Sequence, residues 1–223
     1  MMRLIIFDFD GTLVDSQDMI VAAYKDAAKI QKLHIPKKST ILKTIGLSLK
    51  ESLREIFPEL TEDQIDRLNI QFQNSFFKIR ESETVQKLSN VYPGATAFLE
   101  NLSNCPRNKL AIASGKALAG LKFDLNLHNI ARFFSNLQSS DSHPSKPNPS
   151  MLRACLTETG ISPSNAVMVG DTAYDIQMAN SIPMKSIAVT WGYHSIRLLE
   201  KENPDFIASS FEDLEAYIYE AID

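Results

Sequence analysis

Two carboxylates stand one residue apart directly after the first apolar run of the chain. Asp8 and Asp10 follow the run from Arg3 to Phe7. If the backbone stays extended, side chains two residues apart project to the same side, so these carboxylates are close enough to share a divalent cation. Gly11 allows the backbone to approach a ligand, and Thr12 offers a hydroxyl or a backbone N–H to a phosphate oxygen. The structural alternative is a strand followed by an Asp-Gly turn.

A serine and a glycine end a second apolar run. Ser114 and Gly115 follow residues 110–113 and precede Lys116. A hydroxyl and free backbone N–H groups at the end of a strand can bind an anion. A Ser-Gly turn at a strand end is also common as pure structure, so this pair is informative only together with the other polar groups.

A lysine and two further aspartates complete the set of candidate residues. Lys146 lies in a segment stiffened by Pro147 and Pro149, which could hold its ammonium group over a cluster of carboxylates. Asp171 and Asp175 follow a third apolar run, and their spacing predicts that both lie on one side of a beginning helical turn. The structural alternatives are a solvated loop lysine and a plain helix N-cap at Asp171.

Four short apolar runs are separated by segments long enough for a helix. They are residues 3–7, 110–113, 166–169 and 186–189. This spacing predicts an α/β fold with a doubly wound parallel sheet of the Rossmann-like type. Because the carboxyl ends of parallel strands meet at one edge of a sheet, we expect Asp8, Ser114 and Asp171 to converge there.

The stretch from residue 16 to residue 88 has helical periodicity and no convincing strand. Ile20, Ala23, Tyr24 and Ala27 recur on one helical face, and the segment starting at Thr61 has the pattern of a capping box. We therefore predict an inserted, all-helical cap at residues 16–88. Residues 1–15 and 89–223 would form the α/β core.

Composition limits the classes of partner. The 223 residues, 44% of them hydrophobic, allow one full core and a small second domain. The formal net charge is −4 and no run of Lys and Arg is present, so we expect no nucleic-acid partner.

The apolar start of the chain reaches Asp8 too soon for a signal peptide or a membrane span, so we expect no membrane partner. Cys105 and Cys155 are isolated, which favours reduced thiols and a cytoplasmic location.

The segment from Phe7 to Ser16 resembles the first signature of the haloacid dehalogenase superfamily, and specifically of its phosphatases. The resemblance implies that Asp8 is the nucleophile, which forms an aspartyl-phosphate, and that Asp10 is the general acid and base. Dehalogenases of the superfamily lack the second aspartate, so Asp10 favours phosphate chemistry. The later motifs occur in the family's order, and the branch that the chain resembles most is the phosphoglycolate phosphatase-like one with a helical cap.

The resemblance also implies the roles of the remaining candidates. The groups that bind the substrate phosphate would be Thr12, Ser114, Gly115 and Lys146. The carboxylates of Asp8 and Asp171 and the backbone carbonyl of Asp10 would bind a cation, and hard oxygen ligands favour Mg²⁺. Asp175 would orient a water or the lysine. Many relatives have Asn directly after the serine, where this chain has Gly115.

These inferences predict a Mg²⁺-dependent phosphatase that hydrolyses a small-molecule phosphate monoester, with phosphoglycolate as the leading candidate. Two alternatives remain open: a sugar-phosphate phosphomutase that uses the same intermediate, and a catalytically retired interaction module. Lys43, Lys50 and Arg54 could contact a substrate carboxylate, but a solvated helix face is the favoured explanation. The expected assembly is a monomer or a weak homo-oligomer.

Overall fold

The computed structural model describes residues 1–82 and 88–222, in which six parallel strands form the central sheet. A small antiparallel pair, β2 (Val14–Asp15) and β3 (Asn90–Val91), lies apart from it. The central strands are β1 (Arg3–Phe7), β4 (Asn108–Ser114), β5 (Asn136–Ser139), β6 (Ala166–Gly170), β7 (Lys185–Val189) and β8 (Phe206–Ala208). Their order across the sheet is β5-β4-β1-β6-β7-β8.

Helices cover both faces of this sheet. In the described residues they are α1 (Gln17–Ile30), α2 (Lys38–Leu42), α3 (Leu49–Ile56), α4 (Glu62–Arg80), α5 (Ala95–Asn104), α6 (Leu118–Leu127), α7 (Ser150–Thr159), α8 (Ala173–Asn180), α9 (Ile196–Lys201) and α10 (Phe211–Ile222). Two 3₁₀ helices are at Ala131–Phe133 and Pro163–Asn165.

The central strand β1 shows why the sheet is doubly wound. All five of its residues are buried, and alternate side chains point to opposite faces. Ile5 and Phe7 pack with α5, α6 and α10, whereas Leu4 and Ile6 pack with α7 and α8. The predicted α/β fold with a doubly wound parallel sheet is therefore confirmed.

Two strands of the central sheet were not among the predicted apolar runs. They are β5, with the sequence Asn-Leu-Gln-Ser, and the three-residue β8. Both lie at an edge of the sheet, where a strand has one neighbour and does not need a continuous apolar sequence.

The helices α1 to α4 form a second apolar cluster of their own, with buried residues from Met19 to Phe76. The described part of the predicted cap holds helices and no named strand. Helix α4 begins with the predicted capping box, in which Thr61 and Gln64 exchange hydrogen bonds. Residues 83–87 of the predicted cap lie outside the described residues, and its bounds stay a prediction. None of the helices described here is long and apolar enough to span a membrane.

Candidate active site

The candidate residues lie where the three central strands of the sheet end. Asp8 follows β1 directly, Ser114 is the last residue of β4, and Asp171 follows β6. Strands β4 and β6 both pair with β1, so these three residues lie side by side at the carboxyl edge. The predicted convergence of the strand ends is therefore present.

Three buried carboxylates come together at this edge. One carboxylate oxygen each of Asp8, Asp171 and Asp175 lies within 4.8 Å of the others. The sequence analysis assumed an extended backbone and therefore predicted that the Asp10 carboxylate lies beside that of Asp8. The structure corrects this expectation, because Asp175 takes that place. The backbone turns at Gly11, whose φ is 87°, and the Asp10 carboxylate binds Ser16 and Lys116.

The Asp8 carboxylate is held on one side only. The Phe9 N–H donates to Oδ1 (2.7 Å), and Lys146 Nζ lies 3.0 Å from the same oxygen. Oδ2 is buried and has no hydrogen-bond partner in the described part of the chain. Burial raises the pKa of Asp8 to about 7, because the loss of hydration outweighs the attraction of Lys146.

Lys146 is the central cation of the cluster. Its side chain is fully buried, and its Nζ lies 2.6 Å from Asp175 Oδ1 as well as 3.0 Å from Asp8. Burial alone would lower the pKa of Lys146, but the charges of Asp175 and Asp8 raise it above its usual value. The alternative of a solvated loop lysine is therefore wrong.

Asp175 and Asp171 differ in their surroundings. Thr172 is the N-cap of α8, and its N–H and hydroxyl donate to Asp175 Oδ2 at 3.1 and 2.7 Å. The alternative of a cap at Asp171 is therefore wrong. Asp171 instead accepts from the Thr12 hydroxyl (2.9 Å) and the Tyr193 N–H (2.8 Å). Its pKa is raised by burial and by the charges of Asp8 and Asp175.

These contacts fit a cation site. Of the two Thr12 groups offered to a phosphate oxygen, the hydroxyl donates to Asp171 instead. Three buried carboxylates face a single lysine, so the cluster keeps an excess of negative charge. Hard oxygen ligands with excess negative charge are the donor set that suits Mg²⁺.

Ser114 and Gly115 lie beside a loop of the helical segment. The Lys116 N–H donates to Ser114 Oγ (3.3 Å). A Cβ atom at Gly115 would lie 2.4 Å from the Leu47 carbonyl oxygen and 2.5 Å from that of Gly46. Only glycine permits this approach, which is a physical reason for the absence of the relatives' asparagine.

A chain of ion pairs that the sequence did not reveal leads away from Asp10. Lys116 Nζ lies 2.9 Å from Asp10 Oδ1 and 2.5 Å from Asp124 Oδ2, and Arg80 donates to the same Asp124 oxygen (2.8 Å). The one sequence signal was the position of Lys116 close after Ser114. No local sequence pattern predicts that Asp124 and Arg80 form an ion pair, because they lie on different helices.

Comparison with known proteins identifies the family. Residues 5–189 match the sequence profile of the haloacid dehalogenase-like hydrolases, which is most of the chain. The chain belongs to this family. This hydrolase is 32% identical to the probable phosphatase IndB of Dickeya dadantii (strain 3937), over 96% of its own length and 92% of that protein. It is 33% identical to a phosphoglycolate phosphatase of Vibrio vulnificus (strain CMCP6), over 95% and 94% of the two chains.

A solved structure supports the same family assignment. The crystal structure of a predicted phosphatase from Clostridium acetobutylicum superimposes on the hydrolase with a TM-score of 0.87 and 26% identity, covering 99% of both chains. The resemblance to the phosphoglycolate phosphatase-like branch and the predicted enzyme class, a phosphatase of this family, are confirmed.

The hydrolase has a pocket of about 430 Å³ over the candidate residues. Asp8, Asp10 and Ser114 lie on its core side together with residues from 115–120 and 140–141, and α1, α3, α4 and the loop 45–48 supply its other walls. The carboxylates of Asp8 and Asp10 therefore lie at one end of the pocket and the helical segment at the other.

Proposed function

We propose that this chain is a Mg²⁺-dependent phosphatase in which Asp8 attacks the phosphorus of a small-molecule phosphate monoester. The observation that carries the proposal is the Asp8 carboxylate itself. Its Oδ1 is fixed by the Phe9 N–H and Lys146, whereas its buried Oδ2 has no partner among the described residues. An anchored carboxylate with one free oxygen is suited to in-line attack.

The cation would be held by the carboxylates of Asp8 and Asp171 and by the backbone carbonyl of Asp10. When bound, Mg²⁺ would neutralise negative charge on the phosphoryl group. Asp175 is proposed to position Lys146, and the 2.6 Å ion pair between them supports this role. The hydrogen bonds from Thr172 keep the Asp175 carboxylate in that orientation.

The substrate phosphate would be bound by the Ser114 hydroxyl, the backbone of Gly115 and Thr12, and Lys146. Asp8 Oδ2 forms a bond to phosphorus while the bond to the leaving oxygen breaks, and Asp10 protonates that oxygen. After the alcohol leaves, Asp10 accepts a proton from the water that attacks the aspartyl-phosphate. This second step releases inorganic phosphate and restores Asp8.

The Asp8→Asn variant tests this proposal. With p-nitrophenyl phosphate and Mg²⁺, we expect kcat to fall by about a thousandfold or more, because an amide oxygen is a poor nucleophile. The matched control is Asp18→Asn, which changes an exposed carboxylate that pairs with Lys38. Circular dichroism checks that both variants fold. Turnover by Asp8→Asn close to that of the unmodified enzyme would refute the role of Asp8.

Substrate and product analysis separates the remaining alternatives. Phosphoglycolate, the compound named for the Vibrio vulnificus relative, is the reference substrate. With a sugar phosphate, a phosphatase releases inorganic phosphate, a phosphomutase returns an isomer, and a retired interaction module does neither. We propose a cytoplasmic location, which the two free thiols of Cys105 and Cys155 support.

A further inference from the structure

The pocket above Asp8 changes in character from its floor to its far wall. The floor carries the polar groups of Asp8, Asp10 and Ser114. The far wall is mainly apolar, with Ile20, Tyr24, Ile45, Leu47, Phe72 and Phe76, and its polar lining residues are Ser48, Lys50, Ser52, Asn69, Gln73 and Arg80. A ligand that fills this pocket therefore needs a charged phosphate at one end and an apolar group at the other.

Three rings of the far wall lie in contact, with the planes of Tyr24 and Phe72 tilted by 57° and the Arg80 guanidinium over the Phe76 ring. The centroids of Tyr24 and Phe72 are 4.6 Å apart, and those of Phe72 and Phe76 are 5.5 Å apart with nearly parallel planes. Tyr24 and Phe76 are buried, while Phe72 is half-buried at the pocket. Aromatic side chains in such an array favour contact with another ring.

The pocket is also large for a two-carbon substrate. Its volume of about 430 Å³ lies within the range of sites that enclose drug-sized ligands, about 300–1,000 Å³. Phosphoglycolate would leave most of the apolar wall without contact.

The cations of the pocket are already paired. Among the described lining residues, Lys50 binds Asp66, Lys116 binds Asp10 and Asp124, and Arg80 binds Asp124. The carboxylate of phosphoglycolate would therefore have to compete with Asp66, Asp10 or Asp124 for a cationic partner. Burial of an unpaired charge is costly.

We infer that the substrate is the phosphate monoester of a bulky, uncharged, ring-bearing alcohol, whose ring lies against Tyr24, Phe72 and Phe76. This inference rests on the proposed phosphatase activity and adds the chemical class of the leaving group. Phosphoglycolate is a poor substrate on this basis.

A series of esters with a common type of leaving oxygen tests the inference. Ethyl, hexyl, 2-phenylethyl and 2-(1-naphthyl)ethyl phosphate are all esters of primary alcohols, so kcat/KM reports mainly the contacts of the group beyond the oxygen. We expect kcat/KM for the naphthylethyl ester to exceed that for the ethyl ester by roughly a hundredfold, from the apolar area buried. Phosphoglycolate should be hydrolysed no better than ethyl phosphate. Equal values across the series, or a preference for phosphoglycolate, would overturn the inference while leaving the phosphatase proposal intact.

A pair of variants tests whether the preference for ring-bearing esters depends on Phe72 in the pocket. Phe72→Ala should lower the ratio of kcat/KM for the naphthylethyl ester to that for the ethyl ester by about tenfold, from the loss of a ring contact. Ile70→Ala is the control, because Ile70 is on the same helix, 58% exposed and outside the pocket lining. An unchanged ratio in Phe72→Ala, or an equal fall in Ile70→Ala, would contradict the assignment.

Binding gives a readout that does not depend on turnover. Isothermal titration of Asp8→Asn with 2-(1-naphthyl)ethyl phosphate should give a dissociation constant at least about tenfold lower than titration with phosphoglycolate. Tighter binding of phosphoglycolate would overturn the inference. If no ester is hydrolysed by the unmodified enzyme but the binding preference is present, the phosphatase proposal fails and the apolar pocket assignment stands.

Discussion

The two oxygens of Asp8 have different surroundings, and the difference comes from neighbours on separate elements. Oδ1 is fixed by the adjacent Phe9 N–H and by Lys146, which lies on a distant loop. Oδ2 has no partner in the described residues. Lys146 thereby links two buried carboxylates, because it also binds Asp175. Its single positive charge is the main local compensation for the cluster.

Removal of the Lys146 charge should impair the chemistry of the site. We expect Lys146→Met to lower kcat by about a hundred- to a thousandfold, the usual effect of deleting a group that stabilises developing negative charge. Lys146→Arg should not restore activity, since the buried site holds a compact ammonium group. Steady-state kinetics on p-nitrophenyl phosphate measures both variants. The control is Lys185→Met, which changes an exposed ion pair with Asp205; similar losses in that variant would contradict a specific role for Lys146.

At the scale of elements, a few polar contacts hold the helical segment against the α/β core. The Lys43 carbonyl accepts hydrogen bonds from the Tyr174 hydroxyl and from His194 Nε2, both at 3.1 Å. His194 Nδ1 accepts from the Ala173 N–H, so this imidazole is neutral, and burial lowers its pKa in agreement. The Ser48 N–H donates to Ser145 Oγ (2.8 Å). These contacts place the loop 45–48 over the carboxyl edge of the sheet.

Gly115 allows this loop to approach, so a side chain there should displace it. Gly115→Ala would put a Cβ atom within 2.5 Å of two carbonyl oxygens. We expect kcat/KM to fall by about ten- to a hundredfold, because a small displacement of the pocket wall misaligns the substrate.

Gly160→Ala is the matched control for Gly115→Ala. Gly160 has a φ of +68° and no atoms within 4 Å of the added Cβ, so this substitution should cost about 1 kcal/mol of unfolding free energy with normal kinetics. Kinetics and urea denaturation on both variants measure the two effects. Normal kcat/KM in Gly115→Ala would show that the contact with the loop does not matter.

Asp124 connects helices α4 and α6 through a buried charge cluster. Its Oδ2 binds both Arg80 and Lys116, and the side chains of Asp124 and Arg80 are almost fully buried. Asp124→Asn leaves two cations without their shared carboxylate, so we expect the unfolding free energy to fall by about 3 kcal/mol. Lys38→Met breaks an exposed ion pair with Asp18 and should change the unfolding free energy by less than about 1 kcal/mol. Urea denaturation measures the unfolding free energy of both variants. Equal losses would contradict the prediction that the buried ion pairs of Asp124 stabilise the fold more than an exposed pair does.

At the scale of the whole molecule, the parts that the sequence predicts are those with strong local patterns. The strands β1, β4, β6 and β7 are buried and read as apolar runs, whereas the edge strands β5 and β8 lack that pattern. The meeting of Asp8, Ser114 and Asp171 follows from parallel strands alone.

The remaining features depend on packing between distant residues. The Asp10 carboxylate binds Ser16 and Lys116, and the ion pair with Lys116 joins residues 106 positions apart. Arg80 and Asp124 come together only in the folded chain, and no periodicity in either helix predicts that pair. The aromatic wall of the pocket has the same origin, since Tyr24 and Phe72 belong to different helices.

The carboxylate cluster also links metal binding to the stability of the whole fold. Without a cation, burial raises the pKa of Asp8 to about 7 and raises that of Asp171, so the folded state binds more protons than the unfolded state. The contribution of these two carboxylates to the stability of the metal-free protein should therefore be full below the usual carboxylate pKa of about 4 and be lost as the pH rises through about 7.

Magnesium should reverse that loss, because it replaces the protons on the carboxylates. At pH 8 and about a hundredfold excess of Mg²⁺ over its dissociation constant, we expect about 2.7 kcal/mol of stabilisation, or an increase in Tm of about 5–10 °C. At pH 5 the increase should be much smaller, since protons compete for the same oxygens. Asp171→Asn should lose most of the stabilisation by Mg²⁺. Asp18→Asn should keep it, because Asp18 is exposed and pairs with Lys38 instead of the cluster. Differential scanning calorimetry of the chelated protein with and without Mg²⁺ measures these shifts. An equal shift at both pH values, or an undiminished shift in Asp171→Asn, would mean that the ion binds elsewhere.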